Sequence, residues 1–407
     1  MLSHPPAPTQ VVANPSHLGW RCLRCGSAFD RTDLFEGCTR CAAEGHAANV
    51  QGRYGPGSVP VAAADGPGIY RWGTALPYLG GVSLGEANTP CVPLPDLAAP
   101  LQLDALWIKN ESANPTGSHK DRMSALATTR ALEIGATRVA LASSGNAGVS
   151  AACYAAAAGL ACDVAVYASL HPVQARLMQA AGARLHAFAS GPDRWRFVER
   201  LVRDEGAFPL TNFVEPAVGS PPFGVEAYRS IAFEIAAQCE PMPRHIMVPT
   251  ARGDLLWGLA SGFEALLAAG RLRQMPRLWA VEPFERLAAV MSGADYRSAF
   301  HGRTAQASTA GHTVTWQAVR ALGDSGGGAV AVDDAAARSA WIDLARAGWP
   351  AELCAAAALA GLRRLRERGD VLAGESALLV FTARADRDPA LLEAPFDPIP
   401  TEPGVTR

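Results

Sequence analysis

The sequence predicts an α/β fold in which a mostly parallel sheet is covered by helices on both faces, behind a small metal-binding segment. Short apolar stretches alternate with helical ones through most of the chain, which is typical of parallel sheets. The chain has 407 residues, enough for two or three domains around a large core. A content of 49% hydrophobic and 18% charged residues indicates a folded globular protein.

The charge balance argues against polyanionic partners. Lys and Arg total 36, Asp and Glu total 38, and the isoelectric point is near 6.5, so no global positive field attracts nucleic acid or an anionic bilayer. No run of about 20 apolar residues occurs, and the polar N-terminus, residues 1–16, lacks the features of a signal peptide. We therefore expect a cytoplasmic protein without nucleic acid or membrane partners and with a flexible N-terminus.

Residues 17–50 contain two CxxC pairs separated by twelve residues. Each pair can turn two thiolates toward one cation, and the two pairs together form a tetrahedral zinc site at Cys22, Cys25, Cys38 and Cys41. Four thiolates leave no open coordination position, so we expect a structural zinc in a zinc-ribbon-like segment. A nucleic-acid-binding ribbon is the alternative, but its arginines are offset by neighbouring acidic residues. The odd total of nine cysteines favours reduced thiols.

A linker rich in glycine and proline, residues 51–68, precedes the alternating body. Six apolar stretches are predicted to be strands: 106–109, 139–143, 163–168, 245–249, 277–282 and 377–382. Five stretches are predicted to be helices: 123–134, 147–158, 172–181, 255–268 and 352–367. The alanine-rich run 147–162 is interrupted by two glycines and a serine, which favours a buried helix of a soluble protein. Ligands are expected at the carboxyl ends of the strands.

The chain contains only two lysines, Lys109 and Lys120, and its other basic residues are arginine. A chain with this bias retains a lysine where a site needs a primary amine, because guanidinium cannot form an imine. Lys109 ends a predicted strand, where an ordinary ion pair is the simpler interpretation. Lys120 follows a glycine-containing loop at the start of a predicted helix, and the helix dipole there favours the neutral, reactive amine.

Two further strand-loop-helix junctions can bind anions. In residues 141–152, LASSGNAGVSAA, the backbone amides and hydroxyls of the turn suit a carboxylate, although a Ser/Gly turn that caps a helix explains the same pattern. In residues 248–259, VPTARGDLLWGL, Thr250, Gly253 and the helix N-terminus can receive a phosphate. Each junction alone is a weak signal.

Taken in order, these motifs resemble those of threonine synthase and its relatives in the fold type II family of pyridoxal-phosphate enzymes. The resemblance spans about residues 18–389 and rests on NPTGSHKDR, SSGNAG, SLGEANTP, the VPTARGD loop and SGGGAVAV. It implies two three-layer domains with mostly parallel sheets. The smaller domain, about 122–225, is inserted into a larger one formed by about 51–121 and 226–389, with a tail at 390–407. The family also suggests a homodimer.

The resemblance assigns roles to individual residues. It implies that Lys120 holds pyridoxal phosphate as a Schiff base and becomes the general base when substrate releases it. Asn146 is expected to meet the phenolic oxygen of the cofactor, and Thr382 its ring nitrogen. The implied phosphate cradle comprises Thr250, Ala251, Arg252, Gly253 and Asp254. The implied binding site for the substrate carboxylate comprises Thr89, Ser143, Ser144 and Gly145.

The chain departs from the family pattern around the expected cofactor. Relatives usually have a glycine cluster at 250–254, where close backbone approach to phosphate is needed, and two of those glycines are missing here. Arg252 either replaces the lost amide contacts or points to solvent. The usual Gly-x-Gly after Thr382 is replaced by residues 383–385, ARA, and His119 stands where phenylalanine is common.

A further departure concerns the substrate. Threonine synthases typically carry an arginine for the substrate phosphate just before an Ile-Glu-Gly run, and the corresponding residue here is Gly224. Losing a charge-assisted contact costs about 1.5 to 3 kcal/mol, unless the nearby Arg229 substitutes.

Three functions follow from these observations. The first is pyridoxal-phosphate-dependent elimination or replacement of a β- or γ-substituent on a small L-amino acid. The second is authentic threonine synthase, which converts O-phospho-L-homoserine and water to L-threonine and phosphate. The third is a non-catalytic binding protein that keeps the fold, and the retention of Lys120 argues against it.

Overall fold

The computed structural model describes residues 9–63, 65–143 and 145–393. The strands are β1 Val12–Ala13, β2 His17–Cys22, β3 Ala28–Phe29, β4 Val50–Tyr54, β5 Tyr78–Gly80, β6 Cys91–Pro93, β7 Ala105–Asn110, β8 Arg138–Ala142, β9 Ala161–Tyr167, β10 Arg184–Phe188, β11 Phe208–Pro209, β12 His245–Pro249, β13 Arg277–Glu282, β14 Gly328–Ala331 and β15 Ser376–Phe381. The α-helices are α1 Thr39–Ala43, α2 Pro95–Ala98, α3 Lys120–Glu133, α4 Asn146–Ala157, α5 Pro172–Ala180, α6 Gly191–Glu205, α7 Pro222–Val225, α8 Arg229–Gln238, α9 Asp254–Ala268, α10 Leu287–Met291, α11 Trp316–Ser325, α12 Asp334–Arg346, α13 Leu353–Arg368 and α14 Pro389–Leu392. The described residues also contain six 3₁₀ helices: Gly68–Ala75, Ala99–Leu101, Glu111–Ala113, Glu226–Tyr228, Ala307–Thr309 and Ala385–Arg387.

The larger sheet has six strands in the order β14-β13-β12-β15-β7-β6. All neighbours are parallel except β6, which pairs antiparallel with β7 at the edge. Along β12, Ile246 and Val248 pack with α8, α9 and α11, whereas Met247 packs with α12 and α13 on the opposite face. This alternation confirms the predicted sheet with helices on both faces, since successive side chains of a strand point to opposite sides.

The smaller sheet has four parallel strands in the order β10-β9-β8-β11. Helices α4 and α5 pack on one face, and α6 packs on the other. Residues 147–157 of the alanine-rich run lie in α4, whereas its last two residues begin β9. Helix α4 packs closely against α3 because small side chains allow close helix approach. Among the described helices, none combines the length and apolar character that a bilayer crossing requires.

The N-terminal part forms a three-stranded antiparallel sheet in the order β3-β2-β4. It is packed on the body, where the Trp20 and Phe223 rings meet edge to face with centroids 4.7 Å apart. The expected linker 51–68 is therefore partly wrong. Residues 51–54 belong to β4, and Gly52 N and Tyr54 Oη donate hydrogen bonds to the buried Glu226 carboxylate.

Candidate active site

Lys120 is the first residue of α3, and the segment before it is fixed against the end of β15. The His119 amide donates to the Thr382 carbonyl at 3.0 Å, and Ser118 pairs antiparallel with Ala383. Because β15 is a central strand of the larger sheet, these contacts place Lys120 at the carboxyl edge of that sheet. This is the location expected for ligands in an open α/β sheet.

The amine of Lys120 makes no hydrogen bond or ion pair with any described residue. It lies 5.9 Å from the ring centroid of the buried Tyr228, whose hydroxyl has no hydrogen-bond partner among the residues that the structure describes. Burial lowers the pKa of Lys120, and the charge of Arg252 acts in the same direction, while Asp254 and Glu352 oppose them. The environment therefore favours a neutral, nucleophilic amine.

Glu352 is a central site residue that the sequence analysis missed. Its carboxylate accepts hydrogen bonds from Asn146 Nδ2 and from Thr382 Oγ1, each at 2.9 Å, so one buried group joins two of the predicted residues. Burial raises the pKa of Glu352 to about 7. The available sequence signal was an acidic residue immediately before the apolar stretch LCAAAALA. In the structure this residue is the N-cap of α13.

The turn before α4 contains three of the residues expected to bind a carboxylate. Ser143 Oγ accepts hydrogen bonds from the amides of Gly145 and Gly148, at 3.4 and 2.9 Å. This geometry supports the capping interpretation for the Ser143 hydroxyl. Gly145 is the N-cap residue of α4, and Ser144 lies outside the described residues.

Thr89, the fourth of these residues, lies in a buried ion network. Its hydroxyl donates to Glu111 at 2.7 Å and accepts from Arg122 at 3.1 Å. Among the contacts of the described residues, none joins Thr89 to Ser143 or Gly145. In the same network Lys109 Nζ lies 2.7 Å from Glu234, with both side chains buried, which confirms the interpretation of Lys109 as an ion-pair residue.

The loop 250–254 joins β12 to the N-terminus of α9. Gly253 has φ +90°, and a Cβ atom there would lie 2.4 Å from the Ala318 Cβ, so this position requires glycine. The carboxylate of Asp254 accepts hydrogen bonds from the Ser220 amide and hydroxyl, at 3.0 and 2.7 Å. With the Asp254 side chain engaged there, the loop offers backbone amides and a helix N-terminus to an anion.

Two arginines accompany this loop. Arg286, which the sequence analysis missed, is fully buried and donates to the Thr250 carbonyl at 2.9 Å, so it holds the loop backbone. Arg252 is half-buried, with its guanidinium carbon 5.5 Å from the Trp195 ring centroid across the cleft. Its guanidinium forms no ion pair or hydrogen bond with the described residues, and its Nε is buried without a partner. A guanidinium without a direct ion pair at a helix N-terminus is suited to an anion.

The four cysteines of the N-terminal segment converge as the spacing predicts. Their sulfur atoms all lie within 4.8 Å of one another, with Cys22 and Cys41 3.6 Å apart and Cys25 and Cys38 3.7 Å apart. Four thiolates about 2.3 Å from one tetrahedral zinc are separated by about 3.8 Å, so the cluster has suitable dimensions for that metal.

The arrangement around Lys120 therefore combines a reactive amine, polar contacts and an anion cradle. Such a site can attach an aldehyde covalently, orient a polar ring and hold a phosphate.

Comparison with known proteins gives a consistent result. Residues 82–383 match the model of the pyridoxal-phosphate dependent enzyme family. The chain is 28% identical to threonine synthase of Methanosarcina acetivorans, over 91% of this chain and 92% of that protein. It is 30% identical to threonine synthase of Methanocaldococcus jannaschii, over 82% and 84% of the two chains. The structure of an L-serine ammonia-lyase from Rhizomucor miehei superposes with a TM-score of 0.65 at 20% identity, covering 75% of this chain and 96% of that one.

Proposed function

The chain belongs to the pyridoxal-phosphate dependent enzyme family and is of the threonine synthase type, and from this premise we propose that it eliminates or replaces a β- or γ-substituent on a small L-amino acid. The observation that carries the proposal is the unpaired amine of Lys120. Its pKa is lowered, and it interacts electrostatically with Glu352, which links Asn146 and Thr382.

The residues of this site fit pyridoxal phosphate. Lys120 would attach the aldehyde, because its amine has no competing ion pair among the described residues. Asn146 and Thr382 would hydrogen-bond the phenolic oxygen and the ring nitrogen, which requires Thr382 Oγ1 to turn its proton away from Glu352. The phosphate would meet the loop formed by Thr250, Ala251, Arg252, Gly253 and Asp254. Arg252 supports this assignment, because its guanidinium forms no ion pair or hydrogen bond with the described residues.

The residues of the chain would divide the reaction between them. When bound, the cofactor supplies an electron sink for the carbanion formed at the substrate Cα. Lys120 Nζ would remove the Cα proton, and the leaving group would depart with its bonding electron pair. Ser143, Ser144, Gly145 and Thr89 remain the proposed ligands of the α-carboxylate. Of the three described residues, Gly145 has the weakest existing contact, a 3.4 Å hydrogen bond from its amide to Ser143 Oγ, whereas the hydroxyls of Ser143 and Thr89 make shorter ones.

Covalent attachment can be tested directly because the chain has only two lysines. Borohydride reduction of the cofactor-loaded protein, followed by peptide mass mapping, should place a pyridoxyl group on Lys120. Lys109 is an internal control, since it is buried and paired with Glu234. We expect Lys120→Ala to lose both the adduct and the visible absorbance of bound cofactor. A wild-type protein without an adduct at Lys120 would refute the proposal and favour a non-catalytic binding protein.

Authentic threonine synthase is the second candidate, and the relatives at 28 to 30% identity favour it. The segment that contains Gly224 and Arg229 disfavours it. A Cβ at Gly224 would lie 2.9 Å from Met123 Cγ, and the buried Arg229 is 2.8 Å from Glu226, so neither position supplies a free cation. A phosphorylated substrate would therefore depend on another residue, and Arg252 is a candidate.

A substrate panel separates the two functions. O-phosphohomoserine, O-phosphoserine, serine, threonine and diaminopropionate would be incubated with the cofactor-loaded protein, with threonine, 2-oxo acids and phosphate as the measured products. Threonine from O-phosphohomoserine would establish threonine synthase. Turnover of another amino acid, with none of O-phosphohomoserine, would support the broader proposal alone.

We also propose that the cysteine cluster binds a structural zinc and that the protein is a cytoplasmic homodimer. The sulfur separations support the metal assignment. The odd number of cysteines, four of them in one cluster, supports a reducing compartment. The dimer rests on the family resemblance and is tested by sedimentation of the purified protein.

A further inference from the structure

A chain of hydrogen bonds runs from the cysteine-bearing segment to the back of the loop 250–254. Asn49 Nδ2 donates to Gln317 Oε1 at 3.1 Å, and Gln317 Nε2 donates to Asp254 Oδ1 at 2.5 Å. Asn49 immediately precedes β4, Gln317 lies in α11, and Asp254 begins α9. The Asn49 and Gln317 side chains are almost completely buried, at 1% and 0% exposure, so water cannot replace these contacts.

The segment around the cysteines fixes the position of Asn49. The Asn49 carbonyl accepts a hydrogen bond from the amide of Leu23, which lies between Cys22 and Cys25. The preceding carbonyl, of Ala48, accepts from the amide of Cys38 at 2.8 Å. The backbone at Ala48 and Asn49 is therefore hydrogen-bonded to both CxxC pairs of the cysteine cluster.

The directions of the hydrogen bonds are also fixed. Asn49 Oδ1 accepts from the Val50 amide at 2.9 Å, so its amide nitrogen must face Gln317. Gln317 must then present its oxygen to Asn49 and its nitrogen to Asp254. Rotating the Gln317 amide would break both contacts. Little space surrounds the Gln317 side chain, because a Cβ at Gly219 would lie only 2.4 Å from Gln317 Nε2.

We propose that Asn49 and Gln317 are positioning residues that couple the cysteine cluster to the loop 250–254, so that an intact cluster is required for tight cofactor binding. The part that concerns the cofactor rests on the proposed function. The coupling itself concerns only the placement of the loop, which can be measured without cofactor.

The experiment compares the full-length wild type with Asn49→Ala, with Gln317→Met and with a control. Gln317→Met removes both contacts but keeps the side-chain length. Asn14→Ala is the control, because Asn14 Nδ2 is also buried in the N-terminal part but donates to the carbonyls of Gly73 and Leu76, outside the loop. The two readouts are the dissociation constant for pyridoxal phosphate and the hydrogen-exchange rate of the amides of 250–254 in cofactor-free protein.

We expect Asn49→Ala and Gln317→Met each to weaken cofactor binding by about five- to tenfold, the effect of one or two lost hydrogen bonds. Both should also accelerate exchange in the loop, while Asn14→Ala stays within about twofold of the wild type. Asn49 Nδ2 also donates to the Ser220 carbonyl at 3.1 Å, and Ser220 binds Asp254, so Asn49 has a second route to the loop. The double variant should therefore bind more weakly than Gln317→Met, but by less than the product of the two single effects. Removing metal with a chelator should weaken cofactor binding by the wild type more than binding by Gln317→Met.

Folded Asn49→Ala and Gln317→Met proteins with wild-type affinity and exchange would overturn the proposal. Chelation that weakens Gln317→Met as much as the wild type would also overturn it, because the cluster would then act by another path. If Asn49→Ala does not fold, Gln317→Met decides. A wild type that binds no cofactor would refute the proposed function instead, and the exchange measurement would still test the coupling.

Discussion

At the scale of single residues, Glu352 joins the two ends of the candidate site. It bonds to Asn146 at the start of α4 and to Thr382 at the end of β15, so the smaller sheet and the larger sheet meet at one carboxyl group. Lys120 lowers the pKa of that group and Asp388 raises it, but burial is the largest influence. A buried carboxyl with a raised pKa makes stability depend on pH.

The sign of this dependence can be predicted for cofactor-free protein. A glutamate in the unfolded chain ionises near its ordinary pKa of 4.5, whereas Glu352 in the folded chain ionises near 7. Between these values the unfolded state releases a proton that the native state retains, so stability falls as pH rises, and the loss is complete above pH 7. The Glu352→Gln variant has no titratable group at this position, so its stability lacks this pH dependence. Its melting temperature relative to wild type should therefore rise from pH 5 to pH 8, corresponding to roughly 2 to 4 kcal/mol. A difference independent of pH would contradict the prediction.

His119 provides a second prediction at this scale. Its ring lies 5.6 Å from that of Tyr228, and Nδ1 is 3.3 Å from the Thr382 carbonyl. Burial holds the pKa of His119 well below its usual value, so the ring is neutral and serves mainly as an aromatic packing group. In urea unfolding, His119→Phe should stay within about 1 kcal/mol of wild type, while His119→Ala should lose about 3 kcal/mol. Equal losses would show that the imidazole nitrogens are essential.

At the scale of elements, the two ends of α9 carry glycines with positive φ but with different surroundings. Gly253 at the start has φ +90° and no space for a Cβ, whereas Gly270 beyond the end has φ +66° and open space around it. The start of the helix is thus fixed by packing against α11 as well as by backbone conformation. This is the end that faces the candidate site.

These glycines form a matched pair for mutation. Gly270→Ala should cost about 1 kcal/mol, the effect of the backbone conformation alone. Gly253→Ala should cost at least about 2 kcal/mol, because the clash with Ala318 is added. Combining Gly253→Ala with Ala318→Gly should recover part of the lost stability, because the second substitution removes the clashing Cβ. Equal costs for the two single variants in denaturant titrations would contradict the packing argument.

At the scale of the whole molecule, the N-terminal sheet shares its core with the body. Trp20 packs on Phe223, and Glu226 binds the backbone and a side chain of β4. Removing metal from the cysteine cluster should therefore lower the melting temperature of the whole chain in one transition, as scanning calorimetry would show. Cys38→Ser should abolish this response, and Cys153→Ser, outside the cluster, should retain it. A separate early transition would mean that the N-terminal sheet unfolds alone.

The sequence could predict those parts of the molecule in which local pattern reflects burial. All six predicted strands and all five predicted helices form, with ends within three residues, because strands buried on both faces are continuous apolar runs. Two elements lack a continuous apolar run and were not predicted. They are helix α6, which is exposed and rich in charged residues, and strand β10. Glu352 was missed because its partner Asn146 lies 206 residues away, and only folding brings the two together.

The near absence of lysine has a practical consequence. A protease that cuts only after lysine would find two cleavage points, one fully buried in an ion network and one at the start of α3 inside the cleft. The folded protein should resist such a protease, and each unfolded molecule should yield three fragments. Fragment yield on a gel would then report how often the chain opens, without any label.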